Sequence, residues 1–119
     1  MDVFLELRTT EPNEVRDTIA EHAAAGGTDI AISDEVHLRF AAIEPRRDST
    51  ALVIFALTFP MGIATNVIAD QITDFLRRRK ARDRVTRASI AFEEEAQQRD
   101  GEGSPVTTRT TRRVDISIE

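Results

Sequence analysis

The sequence predicts an α+β domain: a single, mostly antiparallel sheet with two helices on one face, in a ferredoxin-like (split βαβ) arrangement or a near relative of it. Three observations predict it. Short runs near both ends alternate apolar with polar residues, the period of half-buried strands. Two other stretches place apolar residues every three or four positions, the period of amphipathic helices. One of these follows the first strand and the other follows the longest apolar run, the order that split βαβ units require. A chain of 119 residues has the size of one domain, and 1–119 is read as a single small unit.

Residues 2–8 form the first strand, with Val3, Leu5 and Leu7 on one face and Asp2, Phe4, Glu6 and Arg8 on the other. Pro12 then opens a helix, since its missing N–H is not needed in a first turn. That helix is expected to run to about 25, with Val15, Ile19, His22 and Ala23 inward and Glu14, Asp17 and Glu21 outward. Gly26-Gly27 stop it. Strands are expected at 28–33 and 36–43; in the second, Val36, Leu38 and Phe40 alternate with His37 and Arg39. Residues 44–50, EPRRDST, form a charged loop.

The stretch 51–69, ALVIFALTFPMGIATNVIA, has no formal charge and the length of a membrane span. It divides by period into two elements. Residues 51–59 have the composition of a strand buried on both faces. Pro60 and Gly62 break the run. From Ile63 onward, Val67, Ile68, Ile72, Phe75 and Leu76 share a helical face, opposite Thr65, Asn66, Asp70, Thr73 and Asp74. A lipid-exposed span would be apolar all round, so the membrane reading is disfavoured.

For 85–99, helix and strand both fit: Val85, Ala88, Phe92 and Ala96 make a helical stripe, while Thr86, Ala88, Ile90 and Phe92 make a strand face. The strand reading is preferred, because Val114, Ile116 and Ile118 alternate with Asp115, Ser117 and Glu119 in a final strand that needs a neighbour. The two would form a hairpin across the loop at 100–105.

Composition excludes several functions. There is no cysteine, so disulfides, thiolate nucleophiles and cysteine-held zinc are absent. Tryptophan and tyrosine are also absent, which removes the best stacking platforms for single-stranded nucleic acid. The net charge of −5 is unlike a nucleic-acid-binding domain. Fifteen of the sixteen basic residues are arginine, a bias typical of a GC-rich bacterial genome. The N-terminus has no basic segment leading into an apolar one, so a cytoplasmic address is expected.

The chain carries no GxSxG, no phosphate-binding glycine loop and no HExxH, and no cofactor, metal or enzymatic activity is expected. His22 and His37 stand alone. Asn66, Asp70 and Asp74 are spaced to share a hard cation, yet such a stripe is the ordinary wet face of a helix. Glu93–Glu95 are read as a solvated acidic run. The densest signal is basic: Arg77, Arg78, Arg79, Lys80, Arg82, Arg84 and Arg87 crowd the end of the second helix. Cations suit a helix C-terminus. The surplus forms a candidate surface for a partner or for phosphate, which Arg109, Arg112 and Arg113 would extend if the last strand lies close by.

Three segments resemble the effector-associated constant components, small bacterial domains that accompany effectors in conflict and defence systems. They are VFLELRTTEPNEVRDTIAEHAAAGG, then ALVIFALTFPMGIATNVIADQITDFLRRR, then VDISIE. The resemblance implies a non-catalytic module that recruits or links other proteins, with no catalytic residues to carry over. The leading expectation is therefore a protein-binding or adaptor domain whose partner is another protein, with self-association open. The alternatives are a nucleic-acid-binding or regulatory protein using 77–87, and a small membrane-associated protein spanning at 51–69.

Overall fold

In a computed structural model that describes residues 2–21, 28–79, 81–99 and 101–116, without the side chains of Arg82, Ala96, Gln98 and Arg99, the alternation at the N-terminus produces strand β1 (Asp2–Thr9). Helix α1 (Pro12–Ala20) follows, then β2 (Asp29–Ala31), β3 (His37–Pro45), β4 (Ala51–Thr58), helix α2 (Thr65–Arg78), a 3₁₀ turn (Arg82–Arg84), β5 (Arg87–Arg99) and β6 (Pro105–Ile116). All six strands join one antiparallel sheet in the order β2-β3-β4-β1-β5-β6. The α+β class and the antiparallel sheet are as the sequence predicts.

Chain direction alternates along the sheet, so β1 and β3 run parallel with β4 between them, joined through α1. Likewise β4 and β5 run parallel across β1, joined through α2. The order departs from a simple split βαβ pattern at both ends. A three-residue β2 is inserted before β3 and takes one edge, and β6 extends the other.

The core lies on one side of this sheet. Register aligns Leu5 with Phe55 and Ile90, Leu7 with Val53 and Ala88, and Ile30 with Leu38 and Leu57. These side chains form a single buried cluster with Val15 and Ile19 of α1 and Ile68, Ile72, Phe75 and Leu76 of α2. Both helices therefore cover the same face. His22 and Ala23, expected to extend the α1 stripe, lie outside the described residues, as does Ile118.

The apolar run 51–69 is split as its period indicates, into β4 and α2, and the break spans 59–64. Gly62 turns the chain with φ +95°, a conformation that costs other residues a steric clash. Among the described residues, no helix is long and apolar enough to cross a membrane. The expectation that β4 is buried on both faces is corrected. Val53, Phe55 and Leu57 are buried, and so is Leu52 on the other side, but Ile54 and Ala56 there are only half-buried, because no helix lies over them.

Residues 87–99 are strand, not helix, despite the helix-favouring EEEAQQR. Pairing with β6 over twelve positions outweighs that local preference. Only 87–93 of β5 also pair with β1, so the hairpin runs on past the sheet and the molecule measures 54 × 36 × 31 Å.

Candidate functional site

The second face of the sheet is uncovered, and its residues follow from the same register that builds the core. On β1 it presents Phe4, Glu6 and Arg8; on β4, Ala56, Ile54 and Leu52; on β5, Ala91, Ser89 and Arg87. The face has two chemically distinct ends.

At one end, Phe4 and Ala56 pair across strands beside an apolar groove of about 540 Å³ that also reaches Phe59 and Met61. Met61 is wholly exposed at the rim. Phe59 packs partly against the core, but Met61 has no such support.

At the other end, a recess of about 350 Å³ is lined by Arg8, Arg46, Arg87 and Arg113 together with Glu6 and Asp115. Each arginine arrives on a different element: β1, the loop after β3, β5 and β6. Arg113 Nε donates to Glu6 Oε1 at 2.7 Å, reaching across β5 to do so. Glu6 is a buried acid, and this bond, then the charge of its carboxylate, raises the Arg113 pKa above the ordinary guanidinium value. Arg87 stands 3.9 Å from Asp115, and Arg46 stands 3.7 Å from Glu44. Among the described residues, Arg8 forms no ion pair at contact distance, although its charge acts on Asp48, and its buried Nε has no hydrogen-bond partner. Arg8 is also directly opposite Arg87 in the β1–β5 register. Like charges facing each other across a strand pair are destabilising.

Several arginines of the cluster predicted at 77–87 are engaged by neighbours in the fold. Arg78 pairs with Asp74 at 3.1 Å one helical turn back. Arg79 lies over the Phe75 ring at 5.6 Å. Arg84 reaches Glu14 of α1 at 3.0 Å, and Arg77 also has a partner in the chain. Arg87 belongs to the uncovered sheet face. Lys80 lies outside the described residues, as does the side chain of Arg82. The residues expected to extend the cluster are engaged elsewhere: Arg109 with Glu95 at 2.5 Å, Arg112 over Phe92 at 4.8 Å, and Arg113 with Glu6.

Asn66 and Asp70 are exposed on the wet face of α2, and no group of three potential ligands that could hold a metal occurs among the described residues. His37 shares a 2.7 Å hydrogen bond through Nδ1 with Asp29, closing the β2–β3 hairpin; His22 is not described. The recess joins residues 8, 46, 87 and 113, and no local motif links them. The signal that finds it is register. Once 87–93 is paired with β1, the last wet residue of the first strand meets the first wet residue of the fifth.

Compared with known proteins, the chain matches no family model, no curated protein and no solved structure.

Proposed function

We propose that this chain is a non-catalytic protein-binding module of the bacterial cytoplasm, and that it docks an apolar segment of another protein on the uncovered face of its sheet. The observation that carries the reading is Met61, wholly exposed at the rim of the apolar groove that Phe4 and Ala56 line. A large apolar side chain held in water beside other uncovered apolar groups gains on being covered, by about 25 cal/mol for each Å² removed from water.

The fold supports the same reading. We read the order β3-β4-β1-β5 as a ferredoxin-like core, with β2 and β6 as additions. Such a core leaves one sheet face free for a partner. Engagement of the titratable groups supports the non-catalytic part: Glu6 is held by Arg113, and His37 by Asp29. The resemblance to effector-associated constant components adds the kind of partner, an effector of a conflict system.

The test is affinity purification from the source organism with the wild-type chain and with Met61→Glu, which alters only an exposed position. A protein retained by the wild type and lost from the variant is the expected result. If both chains return the same proteins, the reading is wrong. Light scattering over a range of concentrations separates a foreign partner from a second copy: a wild-type mass that doubles, and that Met61→Glu restores to the monomer, would assign the groove to self-association.

A further inference from the structure

We infer that the arginine recess on the uncovered sheet face is an anion site for a small ligand bearing a phosphate group. This goes beyond the protein-binding reading and does not depend on it. Three independent observations carry it.

The first is convergence. Four guanidinium groups line one recess against two carboxylates, Glu6 and Asp115. Glu6 is buried and already spent on Arg113, and Asp115 is at the limit of contact with Arg87. The rim adds Glu44, Arg47 and Asp48, and Thr50 keeps Asp48 ionised, so with the rim included five arginines face four carboxylates.

The second is Arg8. It is half-buried, its Nε is removed from water, and no described group accepts a hydrogen bond from it. A buried donor left unmade is destabilising. Arg79 Nε is also without a hydrogen-bond partner, but of the two only Arg8 lines this recess.

The third is the register. Arg8 and Arg87 are set directly opposite each other on the same face, an arrangement that repels in the absence of a ligand. A doubly charged oxyanion between them removes the repulsion and supplies the missing acceptor in one step. Guanidinium groups bind phosphate through paired, charge-assisted hydrogen bonds, so this set suits phosphate better than it suits a lone carboxylate. A recess of about 350 Å³ also fits a small molecule.

The experiment is titration of the full chain with inorganic pyrophosphate at constant ionic strength, read by calorimetry and by the NMR signals of the arginine Nε–H groups. Saturable binding that shifts Arg8 is expected. Arg8→Gln and Arg46→Gln should each weaken it about tenfold, about 1.4 kcal/mol. Arg109→Gln, on the same face but beyond the recess, should not. Arg46 is on a loop, so its variant keeps the test open if Arg8→Gln does not fold.

Arg87→Gln separates a binding role from a structural one. It should weaken pyrophosphate binding while leaving the unliganded protein as stable as the wild type or more so. Absence of saturable binding to the wild type overturns the proposal. Wild-type affinity in both Arg8→Gln and Arg46→Gln overturns it too, as does an equal loss in Arg109→Gln, the mark of adventitious electrostatics.

Discussion

Arg113 and Glu6, 107 positions apart in the chain, are joined by a 2.7 Å hydrogen bond that passes over strand β5. Its two ends have unequal settings: the Glu6 side chain is 9% exposed and that of Arg113 is 55% exposed. The bond fastens the outermost strand to the centre of the sheet, where pairing along β5 alone would leave it attached on one side only. Loss of Arg113 leaves a buried carboxylate without its counter-charge. The cost of Arg113→Ala is expected to fall between that of an exposed pair and a buried one, on the order of 1–3 kcal/mol. Denaturant unfolding of Arg113→Ala, Glu6→Gln and the double variant tests it: a double variant less damaged than the two single losses together is expected, and strict additivity would remove the coupling.

Phe55 anchors the middle of the core, fully buried on β4 and meeting Phe40 edge-on with ring centroids 5.9 Å apart. Phe40 sits outside the closed core and is 37% exposed. Truncation should therefore be unequal. Phe55→Ala is expected to cost about 3–5 kcal/mol, because it opens a cavity where nothing can collapse. Phe40→Ala should cost about 1 kcal/mol, the scale of an aromatic pair. Equal losses in chemical denaturation would mean that Phe40 carries core weight its exposure denies.

These contrasts show which parts of the structure the sequence discloses. Val3, Leu5, Leu7, Val15, Ile19, Ile72 and Phe75 were legible because burial on one side imposes a period of two on strands and of 3.6 on helices. Ile54 and Ala56 were not, because an apolar side chain has the same appearance under a helix as on an uncovered sheet face. For 87–99, propensity pointed to helix and pairing to strand, and pairing with β6 and β1 decided it. The charges were least legible. Arg77–Arg87 form a cluster along the chain, but nothing in that run discloses that Arg78, Arg79, Arg84 and Arg87 meet Asp74, Phe75, Glu14 and Asp115. Conversely, Arg8, Arg46, Arg87 and Arg113 are scattered in sequence and meet only through strand order.

Gly62 gives a test of backbone conformation without crowding. A methyl group added there meets nothing within 4 Å, yet φ is +95°. Any cost of Gly62→Ala must then come from the dihedral alone, on the order of 1–2 kcal/mol for an L-residue with positive φ. Gly101 is equally open and lacks the positive φ, so Gly101→Ala should change stability by less than about 0.5 kcal/mol. Matched thermal melts decide it; identical melts for the two variants would show that the turn after β4 relaxes freely.

Asp48 sits at the rim of the arginine recess, and its pKa is lowered from the ordinary aspartate value. The hydroxyl of Thr50 donates to its Oδ1, as does the Thr50 backbone N–H at 3.2 Å. Both bonds favour the charged form, the hydroxyl most, so the pKa of Asp48 is lowered. A carboxylate with a lowered folded-state pKa stabilises the fold above its unfolded-state pKa. That contribution is lost as pH falls through the folded-state value. Carboxyl-carbon NMR should therefore find the Asp48 midpoint below that of an ordinary aspartate. Thr50→Val removes the larger donor and keeps the backbone one, so the midpoint should rise part of the way back. A midpoint unmoved by Thr50→Val would shift the cause to the lesser contributors, the backbone N–H groups of this loop and the charge of Arg8.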